Sequence, residues 1–173
     1  MSATISRPPR PPLRTVPFRT PTARLALKSE SPSAAGRAEL DGAWWPRSRD
    51  LTSELSGLAD MLDPLWGRIT RIAVSPRHWP VLPATIFVNG HAVKISWFTS
   101  ELDPHEILLL SYTAGRWDLL VIPPETGAPS AARLMTAASA DTGAPMTATA
   151  LMTAERARTG RCAVTPDRSP RPS

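Results

Sequence analysis

The sequence predicts an α+β domain: an antiparallel β-meander sheet packed by one main helix and two short C-terminal helices, with disordered N- and C-terminal tails. Three observations lead to this prediction. Apolar residues recur at helical spacing between residues 51 and 62. Strand-like segments follow one another from residue 68 to residue 122. Proline and arginine concentrate at both ends of the chain, where we expect no packed core.

Charge and proline divide the chain into a Pro/Arg-rich arm at residues 1–22, a single domain at 23–155 and a basic tail at 156–173. Residues 1–30 and 156–173 together carry eleven Arg or Lys against two acids, whereas residues 31–155 have a net charge of −4. The overall charge of +5 therefore describes the ends of the chain. It does not identify the domain as a nucleic-acid-binding protein.

Cysteine content and hydropathy bear on the compartment. Cys162 is the single cysteine, so the sequence holds no disulfide framework, and we expect a reducing, cytoplasmic location. No run of eighteen apolar residues occurs, so no membrane span is predicted. Residues 7–12 (RPPRPP) favour polyproline II, which is either a solvated leader or a segment that a groove-type partner binds.

The first elements surround a tryptophan-rich stretch, residues 40–51 (LDGAWWPRSRDL). Residues 24–27 before it alternate polar and apolar, which predicts a short strand. If the stretch is extended, its two adjacent indoles point to opposite faces. Either Ser48 or Asp50 caps the helix that follows, and Pro64 is expected to end it. The apolar face of this helix holds Leu51, Leu55, Leu58, Ala59 and Leu62.

Two hairpins follow a β-branched strand at residues 68–75. The Asn89-Gly90 pair at the centre of residues 84–98 predicts a type I′ turn. Counting outward, Val88 opposes His91, Ile86 opposes Val93 and Ala84 opposes Ile95, with Trp97 beyond on the same face. Residues 107–112 and 116–122 predict a second hairpin that is apolar on both faces, with residues 101–106 as a polar turn before it. Short helices are predicted at 131–138 and 148–155, and too little apolar content follows Glu155 to fold.

Four segments carry a resemblance to a known family. They are residues 40–51, WGR at 66–68, HWP at 78–80 and GRWDLLVIPP at 115–124. In these segments the chain resembles the actinobacterial domain of unknown function 5994 family, over about residues 24–155. The resemblance implies a small soluble actinobacterial protein. It implies no activity or ligand, so it carries over no functional residues.

The motifs of common catalytic sites are absent from the sequence. It has no Walker loop, no Rossmann glycine fingerprint, no G-x-S-x-G and no H-E-x-x-H. A metal shared by His78, His91 and His105 would need three or four ligands at about 2.1 Å from one point. The alternative is a turn-packing His91 and two surface histidines. We predict no metal and no cofactor.

One group of polar and aromatic residues is the candidate ligand-binding site. Its members are Asp41, Trp44, Trp45, Arg47, Arg49, Arg116 and Asp118. Because a buried carboxylate is costly when unpaired, Asp118 either pairs with an arginine or lines a pocket. The two indoles either stack on a planar ligand or cover one end of the core.

These observations support a small non-catalytic binding or regulatory domain that takes a small molecule or a protein partner through this group. An alternative is weak binding of nucleic acid or another polyanion by the basic tails. A third hypothesis is an enzyme with Asp118 or Asp41 as general base. The absence of catalytic motifs favours binding over catalysis, although the sequence does not decide the question.

Overall fold

A computed structural model of the protein describes residues 23–28, 40–97, 103–112, 115–140 and 146–162. These ranges hold seven strands and three helices, which confirms the α+β class. The elements in chain order are β1 Arg24–Leu27, β2 Gly42–Trp45, α1 Leu51–Trp66, β3 Ile69–Val74, β4 Thr85–Val88, β5 His91–Trp97, β6 Glu106–Ser111, β7 Gly115–Val121, α2 Ala128–Ser139 and α3 Ala148–Cys162. The predicted arm at 1–22 and the last part of the predicted tail, 163–173, lie outside the described residues.

The sheet is mixed, so the predicted antiparallel meander is wrong. Its strand order is β1-β2-β7-β6-β3-β5-β4. Strand β2 pairs with β7 in parallel, and β3 pairs with β5 in parallel, whereas the other neighbours are antiparallel. The sequence prediction omitted β2 as a strand, and it placed β4 beside β3. Local patterns predict that a segment is extended, but they do not select its partner strand.

Helix α1 packs on one face of the sheet and supplies most of the larger core. Leu55 and Leu58 are buried as predicted, and Asp50 caps the helix by accepting from the Thr52 N–H at 3.1 Å. The prediction that Pro64 ends the helix is wrong, since α1 continues to Trp66. A proline so close to the end removes one helical hydrogen bond. The extra residues bring Trp66 onto Trp117, with ring centroids 3.7 Å apart.

Helices α2 and α3 cover part of the opposite face, over β1, β2 and β7. They bury a second apolar cluster that includes Leu120, Leu134 and Leu151. The expectation that folding stops at Glu155 is wrong, because α3 continues through Cys162. The last turns of α3 are exposed. They can extend the helix without burial in a core, because each residue added to an existing helix gains one backbone hydrogen bond.

The first predicted hairpin is confirmed in register. Asn89 and Gly90 have φ angles of 48° and 78°, and Val88 faces His91. Trp97 was expected on the inward face of this hairpin, but its side chain is not buried: it is 52% exposed at the end of β5. The second hairpin, β6–β7, is also confirmed, with Leu109 opposite Trp117. Across the described ranges, no helix combines the length and apolar character that crossing a bilayer requires.

Candidate functional site

Three of the predicted site residues meet where β2 joins β7. The Asp41 N–H donates to the Asp118 carbonyl at 2.7 Å, and the Asp118 N–H donates to Asp41 Oδ2 at 2.8 Å. Asp41 directly precedes β2, so its side chain extends the parallel β2–β7 pairing by one position. The Asp41 carboxyl is half-buried, and burial raises its pKa, while the hydrogen bond from Asp118 acts to lower it.

Asp118 is paired with an arginine rather than left open. Arg116 lies two residues earlier on the same face of β7. Its Nε donates to Asp118 Oδ2 at 3.0 Å and its Nη2 donates to Oδ1 at 3.0 Å. The Asp118 side chain is 15% exposed and the Arg116 side chain 46% exposed. Of the two alternatives left by the sequence, the described residues show the paired carboxylate.

Glu106 joins this group, although the sequence placed it in a polar turn. It is the first residue of β6 and lies diagonally across from Asp118. Its Oε1 lies 4.0 Å from Arg116 Nη2. Burial, together with the neighbouring Asp118 carboxyl, raises the pKa of Glu106 to about 8. The raised pKa favours the protonated form of Glu106 at neutral pH. No sequence signal distinguished this glutamate.

The two indoles of the tryptophan-rich stretch point to opposite faces, as predicted for an extended segment. Trp44 is fully buried on the α1 face and stacks on Trp79, with ring centroids 5.5 Å apart. Trp45 packs against the second cluster, and the guanidinium of Arg24 lies 3.5 Å from its ring centroid. Both rings are therefore engaged by other parts of the chain.

Arg47 and Arg49 lie beyond the carboxyl end of β2. Arg49 donates from Nη1 to the His78 carbonyl at 3.2 Å and forms an ion pair with Glu125. The parallel register places Trp44 beside Val121, five residues along β7 from Arg116. At the usual strand rise this is roughly 16 Å. The seven predicted residues thus fall into groups at different heights along the sheet.

His78 and His105 lie together near that carboxyl end, with ring centroids 5.2 Å apart in an edge-on arrangement. Burial, with the nearby charges of His105 and Arg49, lowers the pKa of His78 to about 4. Neither ring nitrogen of His78 has a hydrogen-bond partner. The Pro104 backbone acts in the opposite direction on the His78 pKa, because it favours the protonated ring.

The three histidines do not converge on one point. His91 stands apart, with its Nε2 2.8 Å from the Ile69 carbonyl oxygen. Among the described residues, no group of three or more His, Cys, Asp or Glu could hold a metal ion. A metal shared by all three histidines is therefore inconsistent with the fold.

The half of the sheet face not covered by α2 and α3 presents a line of cations. Across β7, β6, β3, β5 and β4, one row of mutually facing residues reads Arg116, Leu110, Arg71, Lys94 and Thr85. We name its three basic members, Arg71, Lys94 and Arg116, the cation row. A shallow concavity of about 470 Å³ lies over this part of the sheet. Arg71 and Lys94 are both exposed and stand directly opposite one another.

A second row beside the cation row carries exposed aromatic residues. Phe87 on edge strand β4 is 78% exposed, and Tyr112, directly after β6, is 87% exposed. Short side chains lie between them, at Ala92 and at Thr70 in the β3 irregularity. The sequence did not identify this row, because that requires knowing that β5 pairs with β3.

The fold and these surfaces define a class: a small α+β domain with a mixed sheet, in which one face is filled by a helix and the other is half covered by the described residues. The chain belongs to the family of unknown function DUF5994, whose model matches residues 24–138. The match includes all seven strands and almost all of α2, and it leaves α3 outside. No curated protein and no solved structure matches the chain.

Proposed function

We propose that this protein is a non-catalytic binding domain that takes an anionic ligand on the cation row. The observation that carries the proposal is the position of Arg71 directly opposite Lys94 on an exposed sheet face. Within the described ranges, neither residue takes part in an ion pair.

Like charges facing each other across neighbouring strands destabilise a sheet. Strands lie about 4.8 Å apart, so the side chains of Arg71 and Lys94 leave neighbouring backbone positions on the same face of the sheet. An anion bound between the two head groups would offset this repulsion. The same exposed charge raises the local concentration of anions and speeds their association.

The third cation of the row is partly neutralised. Arg116 is held by Asp118, while the neighbouring Glu106 carries a proton at neutral pH because its pKa is raised to about 8. The row therefore keeps a positive net charge. Its acidic residues lie at one end, which favours a ligand that approaches over Arg71 and Lys94.

This proposal keeps part of the site that the sequence predicted. Arg116 and Asp118 belong to the surface, whereas Trp44 serves the core. Binding of a small molecule or protein through Arg47 and Arg49 stays a prediction, as does polyanion binding by the tails. A reducing, cytoplasmic location likewise stays a prediction.

The test compares three double variants of the full chain, each of which loses two positive charges. Arg71→Gln/Lys94→Gln removes the centre of the row. Arg77→Gln/Arg158→Gln is the matched control at exposed positions elsewhere, and Arg7→Gln/Arg10→Gln probes the arm. Calorimetric titration with inorganic polyphosphate at low salt should show at least a tenfold weaker affinity for the row variant than for the control.

Two results would contradict the proposal. One is equal polyphosphate affinity in the row variant and the control variant. The other is loss of binding in the arm variant alone, which would support the tails as the anion-binding part. A thermal unfolding scan of each variant checks the fold. The row variant should unfold at the same temperature as the unmodified protein or higher, since a like-charge contact is removed.

A further inference from the structure

We infer that the anion taken by the cation row is a single-stranded nucleic acid, whose phosphates lie along the row while its bases stack on Phe87 and Tyr112. This inference rests on the proposed function, since it requires that the row binds an anion. It adds the chemical class of the ligand and assigns two further binding residues.

The positions of the two rows carry the inference. From Arg116 to Lys94 the cation row crosses three strand-to-strand steps, roughly 14 Å at the usual spacing. Phe87 lies two residues after Thr85 on β4, so it is the diagonal neighbour of Lys94. Tyr112 follows Leu110 by two residues, beside the row at β6. A line of positive charge therefore runs alongside a line with an aromatic ring near each end.

The surface between the two rings is low. Thr70, Thr85 and Ala92 are short side chains that line the concavity over this part of the sheet. Flat bases could therefore reach the sheet without meeting a tall side chain. Large exposed aromatic side chains beside basic groups are the arrangement that binds unpaired bases, because every base has a π-face and every linkage carries a charge.

Other polyanions match these two rows less well. A duplex keeps its base faces stacked inside, so it could use the cations but not the rings. An acidic peptide supplies carboxylates, but it does not carry an aromatic group beside each charge as a nucleic acid does. Inorganic polyphosphate supplies charge alone. Dependence on the aromatic residues thus separates single strands from the other polyanions.

The experiment uses the full chain and a fluorescein-labelled single-stranded oligonucleotide of about twelve nucleotides, with binding followed by fluorescence anisotropy. Phe87→Ala and Tyr112→Ala should each weaken binding roughly tenfold. Their affinity for inorganic polyphosphate should stay unchanged. Trp97→Ala is the matched control. Trp97 is also an exposed aromatic residue of the sheet, but it alternates along β5 with Val93 and therefore belongs to the opposite face, on which α1 packs. It should bind the oligonucleotide like the unmodified protein.

The outcomes distinguish the two proposals. If the Phe87 and Tyr112 variants bind the single strand as well as the Trp97 control, the assignment of nucleic acid is wrong. Equal affinity for the same sequence as a duplex, or tighter binding of poly-glutamate, also overturns it. In each of these cases the proposed function stands as long as polyphosphate binding still depends on Arg71 and Lys94. If no polyanion depends on those two residues, both proposals fail.

Discussion

At the scale of single residues, the polar groups on the half-covered face are defined by burial and by their neighbours. Glu106 and Asp118 are diagonal neighbours on adjacent strands, and Arg116 lies 3.0 Å from the Asp118 carboxylate and 4.0 Å from that of Glu106. Two carboxylates that share one cation in a partly buried site cannot both ionise readily, so one retains its proton. Burial and the neighbouring Asp118 carboxyl raise the pKa of Glu106 to about 8, which favours the proton on Glu106.

The pH dependence of stability follows from this shift. Because the pKa of Glu106 in the folded chain lies above its ordinary value of 4.5, the folded state keeps a proton that the unfolded chain has released. The free energy of unfolding should therefore fall as pH rises from about 4.5 to about 8. Glu106→Gln, which stays neutral, should flatten this dependence and increase stability by roughly 1–3 kcal/mol at pH 8.

Urea denaturation at a series of pH values measures this effect. Asp60→Asn, at an exposed position of α1, controls for the loss of one negative charge. A Glu106→Gln protein that loses stability between pH 5 and 8 as steeply as the unmodified chain would show that Glu106 does not hold the proton.

At the scale of elements, the sequence predicted the periodic segments well and the short ones poorly. Helix α1 and the turn at Asn89-Gly90 have strong local signals, namely a repeating apolar face and a residue pair suited to positive φ. Strand β2 has only four residues, one of them glycine, and its extended form depends on β1 and β7 on either side. Pro64 does not end α1, because the tertiary packing of Trp66 outweighs the one helical hydrogen bond that the proline removes.

The close approach of β1 to β2 depends on Gly42. A Cβ at this position would lie 2.1 Å from the backbone oxygen of Ala26. Gly42→Ala should therefore force the two strands apart and destabilise the protein by about 1–3 kcal/mol. Gly160→Ala, in helix α3 where a Cβ meets nothing within 4 Å, should instead stabilise it by about 0.5–1 kcal/mol.

Chemical denaturation of both glycine variants tests this difference in sign. Since the substitution is the same, the comparison isolates the environment of the glycine. A Gly42→Ala protein as stable as the unmodified chain would mean that β1 does not pack against β2 as described.

At the scale of the whole molecule, one sheet separates two apolar clusters. The larger cluster lies under α1 and the smaller under α2 and α3. Residues from successive positions of β7 enter opposite clusters, with Leu119 in the first and Leu120 in the second. Because both clusters share the same strands, neither can lose its packing without disturbing the other.

We therefore predict one cooperative unfolding transition. Leu58→Ala on the α1 side and Leu134→Ala on the α2 side should each lower the midpoint of the same transition. Each should reduce the free energy of unfolding by about 2–5 kcal/mol. Tryptophan fluorescence, which reports mainly on the α1 side, and far-UV circular dichroism should give coincident curves for both variants. Separate transitions for the two variants would show that the clusters fold independently.

The sequence by itself determined the α+β class of the fold, the helix α1, the two hairpins and the register of the first hairpin. These features depend on contacts between residues that are near in the chain, so local spacing is sufficient to predict them. The tertiary structure alone decided which strands are neighbours. That choice produced the mixed sheet, brought Asp41 to Asp118 and placed Arg71 opposite Lys94, because strand pairing over long separations depends on how the apolar faces of the whole chain are buried together.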